Sequence, residues 1–207
     1  MGGATRRRGD ELIAAIHQAV LAELEEVGLA KLSMEGVARR AATAKTSLYR
    51  RWTSPEEILL DAIVAAFPRE EVSASGDDLR GDLVRALQLL LDWGRHPTAR
   101  AVQAILLERG RYPELADALF SRVFDPAGGR FTATVLHHYA ALGEIDSRVI
   151  TPVVADIGEA LTLKYLADTG TEPSVEYLES IVDQAVLPAV GLSPPGTSRA
   201  AGPGRPS

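Results

Sequence analysis

Apolar side chains recur along most of the chain at the three- and four-residue spacing of an amphipathic helix. The first stripe consists of four aliphatic residues spaced by four: Leu12, Ile16, Val20 and Leu24. Asp10 and Gly28 flank this stripe as a candidate N-cap and a candidate C-terminal stop. The pattern therefore predicts a first helix between these two residues.

Shorter helical segments follow the first helix. Ser33 is a candidate N-cap for a short helix, and a turn separates that helix from a second short one. Ser54, followed by Pro55 and Glu57, has the form of a capping box and predicts the start of a fourth helix. Small and polar residues between 69 and 76 then predict a linker.

Beyond the linker the apolar spacing remains helical, and no segment shows a convincing two-residue alternation. The predicted fold class is therefore all-α. We divide the chain into a small helical domain over residues 1–68, in which the helix from about residue 54 acts as a connector, and a helical body over residues 69–192. The content of Pro, Gly and Ser predicts a disordered tail over residues 193–207.

Composition and charge narrow the chemistry. The chain has 207 residues and no Cys, which excludes disulfides, thiolate catalysis and cysteine-ligated zinc. Its formal net charge is −6, but through Thr53 it carries 9 Lys and Arg against 6 Asp and Glu, whereas the remainder carries 13 against 22. The basic end therefore suits an anionic partner. No apolar run approaches the roughly 20 residues of a membrane span, and no signal core follows the first charges, so a cytoplasmic location is expected.

The segment from Leu32 to Ile63 has the layout of a helix-turn-helix, with a short helix, a tight turn, a second short helix and an apolar anchor. Leu48 is predicted to face inward on the second short helix. The surrounding side chains are hydrogen-bond donors: Lys45, Thr46, Ser47, Tyr49, Arg50 and Arg51. Lysine and the hydroxyls suit base edges in the major groove, and Tyr49 and the arginines suit phosphates. The alternative is a solvated helix without a role in nucleic-acid binding.

About 50 residues of this stretch resemble the TetR family of transcription regulators, the tetracycline-repressor-like proteins. The resemblance is carried by Leu32, Ser33, Met34, Val37, Ala38, Ala41, Lys45, Thr46, Ser47, Leu48, Tyr49, Trp52, Ser54, Glu56, Glu57 and Leu59. The Leu48–Tyr49 pair, followed by Trp52 and the helix start at Ser54, is specific to that family. The resemblance implies an N-terminal three-helix DNA-binding domain with a helix-turn-helix, and a helical C-terminal domain for ligand binding and dimerisation.

Several positions depart from the family pattern. Ala42 stands where the turn usually has glycine, the residue that best tolerates positive φ. Thr43 and Ala44 replace the usual apolar residue and serine, which makes Thr43 the predicted cap of the recognition helix. Pro55 replaces a lysine that contacts phosphate in relatives. Glu35 is acidic where relatives place a basic residue, so no base-reading role is assigned to the first short helix.

The predicted DNA-binding set also includes Ser33, Thr43 and the basic cluster Arg6, Arg7 and Arg8. This cluster is expected to precede the first helix as an unstructured arm. Such an arm can enter the adjacent minor groove, as homeodomain arms do. The alternative is a mobile leader with only a diffuse attraction to DNA.

The helices of the C-terminal body are rich in aromatic residues. The resemblance implies an effector cavity in this region, and the candidate lining residues are Trp93, Phe120, Phe124, Phe131, Tyr139 and His138. Aromatic residues at helical spacing also serve as ordinary core, and that alternative stays open. His137 and His138 are adjacent, so they point about 100° apart on a helix and do not chelate one ion easily. No metal and no cofactor are predicted.

The last two helices are predicted to dimerise, because they carry more apolar residues than one small body buries. The assigned residues are Val153, Val154, Ile157, Leu161, Leu178, Ile181 and Val182. Ala155, Gly158 and Ala160 would permit helices to approach closely. The resemblance implies a four-helix bundle between two subunits and a palindromic operator with half-sites spaced by roughly 34 Å.

The function favoured by these observations is that of a repressor released from a palindromic operator by a small hydrophobic or aromatic effector. A second candidate is a DNA-binding regulator without an effector, in which the aromatic residues form only core. A third is a small helical enzyme. Against it, the sequence shows neither a nucleophile with a base at interpretable spacing nor a phosphate-cradling glycine loop.

Overall fold

The computed structural model describes residues 3–73, 76–124 and 131–193, with side chains from residue 9 onward. The described residues form helices and no strand, which confirms the all-α prediction. In chain order the helices are α1 (Gly3–Val27), α2 (Met34–Arg40), α3 (Lys45–Tyr49), α4 (Pro55–Ala66), α5 (Leu79–Gly94), α6 (Pro97–Leu107), α7 (Pro113–Leu119), α8 (Thr132–Ala141), α9 (Pro152–Thr169), α10 (Val175–Ile181) and α11 (Leu187–Ala189). The predicted tail lies outside the described residues after Ser193.

Two helices continue into wider, π-helical turns. These turns extend α7 over Phe120–Phe124 and join α10 to α11 over Val182–Val186. No helix among the described residues is both long enough and apolar enough to cross a membrane.

Packing divides the chain into two compact units. The first comprises Met1–Arg69 and Leu91–Arg130, and the second comprises Glu70–Leu90 and Phe131–Ser207. By residue number, 79–90 of α5 belong to the second unit and 91–94 to the first. The division differs from the predicted boundary at residue 68, because residues 91–124 pack with the N-terminal helices. The functional domains over residues 1–68 and 69–192 remain a prediction.

The first unit is built around α1, which packs against α2, α4 and α6. The apolar stripe of α1 forms much of the contact: Ile16, Val20 and Leu24 are buried, whereas Leu12 is 40% exposed. The opposing side chains include Val37 of α2 and Ile63 of α4, both fully buried. The period of four in the sequence therefore identified the core-facing side of this helix.

The start of α1 corrects the sequence prediction. The helix begins at Gly3 and runs through Asp10, which is therefore not its N-cap. Arg6, Arg7 and Arg8 lie within the helix and do not form an unstructured arm. The physical reason is that arginine is a good helix former and that a single glycine inside an anchored helix costs only about 1 kcal/mol.

The second unit packs the first part of α5, α8, α9 and the α10–α11 segment. Gly158 of α9 lies close to its neighbours, since a Cβ there would lie 2.8 Å from Thr132 and 3.2 Å from Leu87. Arg80 of α5 donates to both carboxylate oxygens of Asp183, at 2.7 and 2.9 Å. The small residue at 158 therefore serves packing inside one subunit, where the sequence suggested helix approach at a dimer contact.

Candidate DNA interface

The first short helix, α2, begins as predicted. The Ser33 hydroxyl accepts a hydrogen bond from the Gly36 amide at 3.1 Å, which caps the helix. The turn after α2 places Ala42 at φ 48°, in the region that favours glycine. The predicted turn geometry is therefore present, and alanine adopts it in place of glycine.

The second short helix, α3, carries the predicted DNA-binding side chains. Leu48 is fully buried, as expected, and Tyr49 is 57% exposed. The other predicted positions are exposed or partly exposed: Thr43, Lys45, Thr46, Ser47, Arg50 and Arg51. The prediction of Thr43 as the cap is wrong, because Ala44 occupies the N-cap position and its methyl side chain cannot cap the helix.

Lys45, at the start of α3, forms an ion pair with Glu35 in the first turn of α2. The hydrogen bond between them lowers the pKa of the Glu35 carboxyl below its ordinary value. The same bond raises the pKa of the Lys45 ammonium. The sequence showed that Glu35 is an acidic exception but did not reveal this pairing, because the two residues meet only when α2 and α3 fold against each other.

Polar contacts, two of them part-buried, hold the two short helices in place. Glu23 of α1 is 3% exposed and accepts a hydrogen bond from Arg40 Nε of α2 at 2.6 Å. Trp52, just after α3, is 6% exposed and donates from Nε1 to Asp61 Oδ2 of α4 at 2.6 Å. The other oxygen of Asp61 accepts from Arg122 at 2.5 Å. Neither Asp61 nor Arg122 carried a sequence signal, since they lie far apart in the chain.

The candidate effector residues form two groups. In the first unit, Phe67 packs on Trp93 at 5.2 Å and on Phe124 at 5.6 Å between ring centroids. Phe120 packs edge-on against Phe124, and Trp93 donates to the hydroxyl of Thr98. This group is an aromatic cluster with Phe124 buried at its centre, and an effector role for its members stays a prediction.

The second group lies in the second unit. Phe131 and Tyr139 are each 1% exposed. The Tyr139 hydroxyl donates to Asp82 at 2.8 Å, and a ring nitrogen of His138 lies 3.1 Å from the carbonyl oxygen of Ser73. These contacts give Tyr139 and His138 structural partners inside the unit.

A small cavity lies in the first unit between α1 and α6. Its volume is about 210 Å³, below the roughly 300 Å³ at which ligand pockets usually begin. The lining is mostly aliphatic, with three charged side chains: Leu21, Leu24, Glu25, Gly28, Leu29, Pro97, Arg100, Ala101, Ala104 and Glu108. The predicted effector residues do not line it. No group of three or more His, Asp or Glu residues suited to a metal ion occurs in the described part of the chain.

The residues predicted to form the dimer interface fall into an exposed group and a buried group. Val153 is 75% exposed and Leu161 is 37% exposed, and Val154 and Ile157 are partly exposed. Three of the predicted residues are at most 5% exposed within a single subunit: Leu178, Ile181 and Val182. Their assignment to a dimer surface is corrected, because they face the core of the second unit and leave almost no area for a partner.

Comparison with known proteins agrees with the helix-turn-helix geometry. Residues 16–62 match the bacterial regulatory proteins of the tetR family, and residues 72–185 match the tetracyclin repressor-like C-terminal domain. The chain is 28% identical over 187 residues to an HTH-type transcriptional regulator of Mycobacterium tuberculosis, covering 90% of this chain and 89% of that protein. It is 27% identical over 183 residues to the DNA-binding transcriptional repressor TetR of Mycobacteroides abscessus, covering 87% and 94%.

A crystal structure of a protein from Mesorhizobium loti, described as a TetR-family transcriptional regulator, has the same fold. Its TM-score is 0.58 at 18% identity, and the match covers 89% of this chain and 97% of that one. The matched segments together include the helix-turn-helix and most of the helical body. The chain therefore belongs to the TetR family and is a DNA-binding, helix-turn-helix transcription regulator, not an enzyme.

Proposed function

We propose that the protein is a homodimeric repressor that binds a palindromic operator in the bacterial cytoplasm and is released by a small hydrophobic or aromatic effector. The observation that carries the proposal is the set of exposed hydrogen-bond donors on α3. The buried side chains of Leu48 and Trp52 anchor this helix to the first unit. A helix held in this way can lie in the major groove with Lys45 and Thr46 towards the bases.

Phosphate contacts are expected from the C-terminal end of α3. Tyr49 is 57% exposed, and Arg50 and Arg51 are exposed directly after it. Arg50 and Arg51 form no ion pair with the residues that the structure describes. Their charges are therefore free to neutralise phosphates, which contributes affinity that is independent of sequence and sensitive to salt.

Dimerisation is supported by apolar side chains that the subunit leaves exposed on two of its C-terminal helices. On α9 and α10 these are Val153, Leu161, Leu163, Val175 and Tyr177. A second copy of the chain is the partner proposed for this surface, because two recognition helices match the two halves of a palindrome. The similar protein of Mycobacteroides abscessus is described as a transcriptional repressor, which supports repression as the proposed mode of regulation.

An effector would act by favouring a conformation whose recognition helices do not fit the operator. The aromatic cluster of Phe67, Trp93, Phe120 and Phe124 lies in the same unit as α3, and Arg122 from this region contacts Asp61. A second candidate, regulation without an effector, is favoured by the burial of Phe124, Phe131 and Tyr139, which fits ordinary core residues. Thermal unfolding with a panel of aromatic compounds separates the two, because only a binding effector raises Tm.

The operator-binding proposal is tested by selecting sites from a random duplex library with the purified full chain. A palindromic winner, bound far more tightly than a scrambled duplex at two salt concentrations, is the expected result. Lys45→Ala or Thr46→Ala should then cost about 1–3 kcal/mol on the selected site. Tyr49→Phe should weaken binding to the selected duplex and to the scrambled duplex by the same factor. Enrichment of no site would overturn the proposal.

A further inference from the structure

The ion pair between Glu35 and Lys45 lies at the N-terminal ends of both short helices. Glu35 is in the first turn of α2, whose start is set by the Ser33 cap, and Lys45 is the first residue of α3. Their side chains are 59% and 50% exposed. The pair is thus part of the surface that carries Thr46, and it presents an acceptor and a donor side by side.

Stability does not explain this pair. Exposed ion pairs contribute little to folding because water and salt screen them. Glu35 also favours its own helix by its position near the helix N-terminus, and it would do so without Lys45. A carboxylate on a DNA-binding surface is unfavourable near phosphates, so its presence weakens sequence-independent binding. The pair does, however, present a hydrogen-bond acceptor beside a donor, which a single lysine does not.

A lone lysine ammonium donates to guanine, to other acceptors and to phosphate, and so discriminates poorly. A carboxylate in contact with it limits where the ammonium points and adds an acceptor. In the major groove, guanine offers O6 and N7 as acceptors, and the paired cytosine offers its N4 amino group as a donor. Glutamate pairs with that amino group, and lysine pairs with guanine.

We infer that Glu35 and Lys45 together read one G·C base pair in each operator half-site, with Glu35 accepting from cytosine N4 and Lys45 donating to guanine. This inference rests on the proposed function, since it requires α3 to lie in the major groove. It makes Glu35 a specificity-determining residue, a role that its acidic side chain alone did not suggest. The negative charge also disfavours scrambled DNA and so increases the ratio of specific to non-specific binding.

The test compares site selections by the wild-type chain, Glu35→Gln and Glu114→Gln. Glu114 is a matched control, because it is also the exposed second residue of a seven-residue helix, α7. Both substitutions remove the same charge from a first helical turn. Glu35→Gln is expected to lose about tenfold of the preference for G·C at one position in each half-site. It is also expected to bind scrambled DNA more tightly than Glu114→Gln does.

Glu35→Asp provides a second variant that keeps the charge and shortens the reach by one methylene. It should weaken the same preference, and thermal unfolding of each variant checks that the fold is retained. If the wild type selects a palindrome and both Glu35 variants select it with unchanged discrimination, the inference is wrong and the proposed function stands. If the wild type selects no site, the proposed function itself fails.

Discussion

The absence of a side chain at Gly36 leaves room for a contact between α1 and the helix-turn-helix. A Cβ at this position would lie 1.7 Å from Oε1 of Glu23, whose carboxylate is buried and bound to Arg40. The carboxylate therefore occupies the space that a larger residue would need. Because Glu23 is buried and charged, it depends on this arrangement to keep its partner.

Gly36→Ala is expected to destabilise the protein by about 1–3 kcal/mol, because the methyl group displaces the Glu23 carboxylate from Arg40. Gly9→Ala is the control. Gly9 lies in α1, and a Cβ added there would meet nothing within 4 Å, so alanine should stabilise the helix by up to about 1 kcal/mol. Urea unfolding of the two variants measures the difference. A Gly36→Ala protein as stable as Gly9→Ala would refute this account of the contact.

At the scale of elements, Asp61 joins three parts of the first unit. It lies on α4, accepts from Trp52 beyond the end of α3, and accepts from Arg122 in the turns that follow α7. His17 of α1 packs edge-on near Trp52, at 6.4 Å between ring centroids, and burial lowers the pKa of this histidine. The position of α3 therefore depends on side chains from helices outside the helix-turn-helix.

Asp61→Asn is expected to cost about 1–3 kcal/mol of stability and to weaken operator binding, because an amide cannot accept from both donors. Arg122→Gln removes only a partly exposed ion pair, so it should cost at most about 1 kcal/mol. Chemical unfolding and operator titration of both variants give the comparison. Equal effects of the two substitutions would show that the bond to Trp52 does not position α3.

In the second unit, Asp82 ties the linker and α8 to α5. The Asp82 carboxylate is 1% exposed and accepts from the Ser73 amide at 2.7 Å and from the Tyr139 hydroxyl at 2.8 Å. The Arg85 guanidinium also donates to this carboxylate. Burial by itself would raise the pKa of Asp82, but these hydrogen bonds and the arginine charge outweigh burial and hold it below the ordinary value. Burial, together with the hydrogen bond to Asp82, raises the pKa of Tyr139 to about 12.

The lowered pKa of Asp82 gives a pH dependence of known sign. An unfolded aspartate titrates near pH 3.9, so the stabilisation is present above about pH 4 and is lost as the pH falls through the lower folded-state pKa. Asp82→Asn should therefore be less stable than wild type at pH 7, by about 1–3 kcal/mol, and the difference should narrow below pH 4. Unfolding curves across this range, with the exposed Asp156→Asn as control, provide the measurement. A difference that does not change with pH would contradict the assignment.

At the scale of the whole molecule, the proposed function depends on two copies of the chain. Val153 and Leu161 on α9 are exposed apolar residues, and exposed apolar area of this kind marks protein interfaces. The proposed second subunit would cover both. Operator affinity then depends on the dimer, since one recognition helix reads only half of a palindrome.

Leu161→Glu and Val153→Glu are each expected to shift the protein from dimer to monomer and to lower operator affinity at least tenfold, because a carboxylate is costly to bury in an apolar contact. Leu107→Glu is the matched control, since Leu107 is a 79% exposed apolar residue of α6, a helix that is not part of the proposed surface. Light scattering after gel filtration reports the mass of each variant. A dimer retained by both α9 variants would place the interface elsewhere.

Much of this architecture could be predicted from local sequence. The predicted caps at Ser33 and Ser54 both accept hydrogen bonds from amides three residues ahead, as their positions before apolar runs indicated. The inward side of α3 at Leu48 also followed from apolar spacing. These signals are local, since a cap and a helical stripe depend on residues within about four positions of each other. Local sequence signals were therefore enough to predict the all-α fold class, the position of the helix-turn-helix and the family.

The contacts between side chains of different helices depend on how the helices pack in three dimensions. Glu35 with Lys45, Asp61 with Arg122 and Asp82 with Tyr139 pair across helices, where no local spacing predicts contact. The same holds for burial: apolar patterning marked both α9 and α10 as candidate dimer helices, but packing within one subunit covered Leu178 of α10 and left Val153 of α9 exposed. The physical reason is that a stripe shows only that a side chain needs an apolar partner, whereas the three-dimensional packing determines whether that partner lies within the chain or in a second copy.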